Sequence, residues 1–70
     1  MSSRIVSDPE ICGGEPVVKG TRIPVRVVLS HLAAGQDAAG ILASFPNLTR
    51  EDISACLEHA AELAGEVVIP

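Results

Sequence analysis

The chain changes character at Pro24, and that switch constrains its fold more than any other feature. Before it, Pro9, Gly13, Gly14, Pro16 and Gly20 punctuate short pieces rich in Val and Ile: Ile5-Val6, Pro16-Val17-Val18-Lys19 and Thr21-Arg22-Ile23. Apolar β-branched pieces separated by Gly and Pro read as strands and turns. Strands this short are not stable as a lone ribbon and need a helical layer or a second chain. After Pro24 the apolar residues recur at helical spacing. The expected class is therefore mainly α, with a short N-terminal β-element followed by three helices.

Pro24 suits the first position of a helix because its missing N–H has no intrahelical partner there. Val25, Val28, Leu29, Leu32 and Ala33 follow the i, i+3, i+4 rule of an apolar stripe. Gly35 is placed as its C-terminal cap. Asp37 caps a second helix carrying Ile41, Leu42 and Phe45, and Pro46 stops it. Thr49 caps the third, with Asp52 three residues on as the reciprocal acid of a capping box. Leu48 is placed to staple onto Ile53. Ile53, Cys56, Leu57, Ala60, Ala61 and Ala64 form the expected buried stripe, and Gly65 the expected end. Glu66-Val67-Val68-Ile69-Pro70 remains as a short apolar tail.

Seventy residues allow one domain: a β-element over about 4–23, a tri-helical unit over about 24–64 and a tail over 65–70. A chain this short leaves no room for a scaffold plus a deep pocket, so neither an enzyme nor a small-molecule substrate is expected. Such a chain sits near the lower limit for a self-sufficient core, and disulfides, metals or oligomerisation are the usual remedies. Two cysteines make no disulfide framework. A structural metal needs about four clustered ligands, whereas Cys12, His31, Cys56 and His59 are scattered; no cofactor is expected. Met1-Ser2-Ser3-Arg4 lacks an export signal, so a reducing cytoplasm and free thiols are expected. No apolar run approaches the roughly 20 residues of a membrane span. Oligomerisation remains. A composition of 47% hydrophobic residues with a single aromatic, Phe45, points to an intertwined homodimer sharing one core, with Val17 and Val18 as its seam.

The formal charge of −4 is unevenly spread. Arg4, Lys19, Arg22 and Arg26 lie in the first half, against Asp8, Glu10 and Glu15. From Gln36 on, Arg50 stands alone against Asp37, Glu51, Asp52, Glu58, Glu62 and Glu66. Helix, Gly-containing turn, helix, short turn and longer helix is the layout of helix-turn-helix domains, whose last helix reads the major groove. Here that helix would present Arg50, Glu51, Ser54, Ala55, Glu58, His59 and Glu62 to solvent, which repels phosphates. If DNA is bound, Arg4, Lys19, Arg22 and Arg26, doubled across a dimer, are the contacts. Arg22 has a competing use as a five-donor fork to backbone carbonyls or Asp8. Cys12, flanked by Glu10 and Glu15, reads as a buried inert thiol, Cys56 as core, and His31 as a boundary residue.

The segment Asp8-Pro9-Glu10-Ile11-Cys12-Gly13-Gly14-Glu15-Pro16-Val17-Val18-Lys19-Gly20-Thr21-Arg22-Ile23-Pro24-Val25 is unusually constrained in residue type. Asp8-Pro9 starts a turn, Gly13-Gly14 permits positive φ, and Gly20 allows a tight bend. With Gly35, Phe45-Pro46-Asn47-Leu48-Thr49 and Glu51-Asp52-Ile53, it resembles the signature of a prokaryotic family known as domain of unknown function 433, over roughly residues 4 to 64. The motif residues are Asp8, Pro9, Cys12, Gly13, Gly14, Pro16, Gly20, Thr21, Arg22 and Pro24. Two features depart from the family: Cys56 and His59 stand where many relatives carry Ala and Tyr, and the chain is acidic overall.

The resemblance implies a helix-turn-helix-like fold, a homodimer and similarity to antitoxins encoded beside PIN-like ribonuclease toxins. The expected function is thus a non-enzymatic, antitoxin-like module that binds and inhibits a PIN-like toxin from a neighbouring gene. Val67, Val68 and Ile69, or the acidic face of the third helix, are the expected toxin contacts. The alternatives are a dimeric DNA-binding regulator and a structural dimerisation domain.

Overall fold

A computed structural model describes residues 3–66. Two strands, β1 (Ile5–Val6) and β2 (Val17–Val18), precede three helices, α1 (Val25–Ala33), α2 (Ala38–Ser44) and α3 (Arg50–Glu66). The strands pair antiparallel with Ile5 opposite Val18 and Val6 opposite Val17. The mainly helical architecture with a leading β-element agrees with the sequence.

The turns explain the motif. Asp8 accepts a hydrogen bond from the Glu10 N–H at 2.9 Å, closing an Asx turn. Cys12, Gly13 and Gly14 then follow one another at φ 50°, 67° and 88°, a left-handed run that two glycines make affordable. Thr21-Arg22-Ile23, expected as a strand, is instead a tight loop. Gly20 reverses the chain at φ 81°. The Thr21 hydroxyl donates to the Val18 carbonyl at 2.7 Å and accepts from the Ile23 N–H at 3.0 Å. One side-chain hydroxyl thereby replaces the rungs of a longer ladder. The returning chain then bonds along β2, Ile23 to Val18 and Pro16 to Val25.

Pro24, expected as the first residue of α1, is instead its extended N-cap, and the helix starts at Val25; most other helix ends follow their signals. Past α1, Gly35 at φ 93° donates to Leu32 and Gln36 to His31, the paired bonds of a Schellman motif. The Asp37 carboxylate accepts from the Gly40 N–H at 2.9 Å at the start of α2. At α3 the capping box is complete: the Asp52 carboxylate accepts from the Thr49 N–H at 2.9 Å, and the Thr49 hydroxyl accepts from the Asp52 N–H at 3.2 Å. Leu48 and Ile53 are both buried in one cluster, as a hydrophobic staple requires. Gly65 does not end α3, which runs on to Glu66.

Ile5, Val18, Val25, Val28, Ile41, Leu48, Ile53, Ala55 and Cys56 form the core, with Leu29, Leu32, Leu42 and Phe45 half-buried around it. Val17 is fully buried as well. Two expectations need correction. Val17 and Val18 are no exposed seam: their side chains are buried within the chain, and β2 is bonded by β1 on one edge and by Ile23–Val25 on the other. The buried stripe of α3 is also rotated from the expected one. Ala55, expected in solvent, is buried, while Leu57, Ala61 and Ala64 are exposed. The cause is the β-element, which packs on α3 beside Asp52 and Ala55 and draws that side inward.

Candidate interaction surface

The four bases expected to meet DNA are exposed, and two of them are neutralised. Arg4 lies 3.1 Å from the Asp52 carboxylate, which is itself almost buried. The Arg26 guanidinium pairs with Glu15. Lys19 donates its backbone N–H to the Arg4 carbonyl at 2.7 Å, so Arg4 and Lys19 are cross-strand neighbours. Arg22 is exposed one turn further on. Among the described residues the expected fork role does not appear: the fold uses the Arg22 carbonyl, which accepts from the Cys12 thiol at 3.5 Å, and the Asp8 carboxylate is engaged by the Glu10 N–H instead.

Cys12 is exposed, not buried as expected, because the left-handed turn holds it off the core. Cys56 is core, as expected. Burial first, then the charge of Asp52, pushes its thiol up to about 11. His31 sits edge-on to Phe45 at 5.2 Å between ring centres and bonds the Gln36 side chain, joining α1 to the start of α2.

The expected toxin contacts Val67, Val68 and Ile69 lie outside the described residues. The acidic face of α3 does not. Glu51, Glu58 and Glu62 are exposed along it, while Leu57 at 49% and Leu63 at 52% exposure stand on other sides of the same helix. Among the described residues these are the large hydrophobic side chains most open to water. Leu63 points towards α1 and, with Pro16, Val25, Leu29 and His59, lines an apolar groove of about 130 Å³ whose rim carries the Glu15–Arg26 pair. That volume is of the size of one large aliphatic side chain. A more open, polar cleft of about 300 Å³ runs along the other side of α3 between Arg4, Arg50, Ser54 and Glu58.

The groove went unread in the sequence because its walls are 34 residues apart. Leu29 and Leu63 each look like ordinary stripe positions until α1 and α3 are set side by side. The surface so built has an apolar slot on one side of α3 and an acidic face on another. Among the described residues no helix is long and apolar enough to cross a membrane.

Comparison with known proteins places the chain. A family model described as a protein of unknown function, DUF433, matches residues 5–60. The chain is 45% identical over 49 residues to the uncharacterized protein y4eO of Sinorhizobium fredii, a match covering 70% of this chain and 22% of that protein. It is similar to the crystal structure of a DUF433 member from Anabaena variabilis, with a TM-score of 0.84 and 31% identity, over 93% of this chain and 64% of that one. The chain thus spans about a fifth of the one relative and under two thirds of the other.

Proposed function

The chain belongs to the DUF433 family, and on that premise we propose that it is a non-enzymatic, antitoxin-like interaction module that acts as a homodimer to bind and inhibit a PIN-like ribonuclease encoded beside it. The observation that carries this reading is the α3 surface, which presents Glu51, Glu58 and Glu62 on one face and half-exposed Leu57 and Leu63 on others, with an apolar slot at Leu63. Exposed apolar patches rimmed by charge mark protein contacts. A ribonuclease holds its RNA in a cationic groove, so an acidic ridge is complementary to it, and that complementarity speeds encounter. Occlusion of the groove is the mechanism: the acids face its bases and the leucines bury against its walls. Co-expression with the product of the neighbouring gene tests this. A stable co-purifying complex and restored growth are expected; free partners and no rescue would refute it.

A dimeric helix-turn-helix-type regulator using Arg4, Lys19, Arg22 and Arg26 is the second reading. The cross-strand placement of Arg4 beside Lys19 favours it. The Arg4–Asp52 and Arg26–Glu15 pairs and the acidic α3 oppose it, because each neutralised base releases fewer counterions from DNA. A mobility-shift assay on the gene's own promoter across a salt series separates the readings: a steep loss of binding with salt supports DNA contact, and no shift excludes it.

A further inference from the structure

We draw no further inference here: the strongest candidate, the apolar groove between α1 and α3 lined by Pro16, Val25, Leu29, His59 and Leu63, belongs to the surface already described, and nothing in the structure shows what covers it.

Discussion

Replacing Asp52 by Ala tests how the β-element is fastened to the helices. The Asp52 carboxylate does two things at once: it accepts from the Thr49 N–H at 2.9 Å and pairs with Arg4 at 3.1 Å. Loss of the reciprocal cap, in which the exposed Thr49 N–H loses its acceptor, costs about 1 kcal/mol. The Arg4 pair adds only about 0.5 kcal/mol, since the Arg4 side chain is 47% exposed and water screens it. The sum is about 1.5 kcal/mol. At roughly 4–8 °C per kcal/mol for a domain of this size, the melting temperature should fall by about 6–12 °C. Asp52→Asn keeps an acceptor for Thr49 and should lose about half as much. Thermal denaturation followed by circular dichroism reads both, and a cycle with Arg4→Ala isolates the pair, with an expected coupling near 0.5 kcal/mol. If Asp52→Ala costs under about 0.5 kcal/mol, the cap and the tie are not what hold β1 against α3.

Three further outcomes are expected. With a thiol reagent at pH 8, one thiol per native chain should react quickly, that of Cys12, and Cys56 only on unfolding; two fast thiols would contradict the burial. Because the folded Cys56 thiol is raised to about 11, its contribution to stability is intact below the ordinary thiol value near 8.5 and is lost as pH rises from there through about 11. Denaturant midpoints should therefore decline over that window in the native chain and decline less in Cys56→Ala, which carries no thiol to ionise. Gly20→Ala should destabilise by about 1–2 kcal/mol through its backbone alone, since φ is 81° and no atom lies within 4 Å of the added carbon; an unchanged melting temperature would show that this turn relaxes.

The local signals in this chain were legible because each is satisfied within a few residues. Gly35, Asp37 and Thr49 with Asp52 cap their helices as the sequence predicts, and Leu48 staples onto Ile53. The larger failure involves distant partners. Arg4 and Asp52 are 48 residues apart, and nothing in helical periodicity announces that the β-element lies against α3. That contact decides which of two overlapping stripes on α3 is buried. Ile53 and Cys56 belong to both; Ala55 joins them inside and Leu57 is left outside. Thr21-Arg22-Ile23 has strand composition, yet the Thr21 hydroxyl closes a loop before a ladder can form. For the candidate surface, the acidic residues of α3 were readable from the charge split, whereas the apolar slot required Leu29 and Leu63 to meet.

The most direct test of the proposed function is a titration of RNA cleavage by the purified ribonuclease of the adjacent gene against this chain. Cleavage should be lost at one chain per ribonuclease, with inhibition weakening as salt rises. Leu57→Ser with Leu63→Ser should relieve inhibition at least tenfold while shifting the melting temperature little, since both side chains are half in water already. Undiminished cleavage at excess chain, or full inhibition by the double variant, would contradict the proposed function.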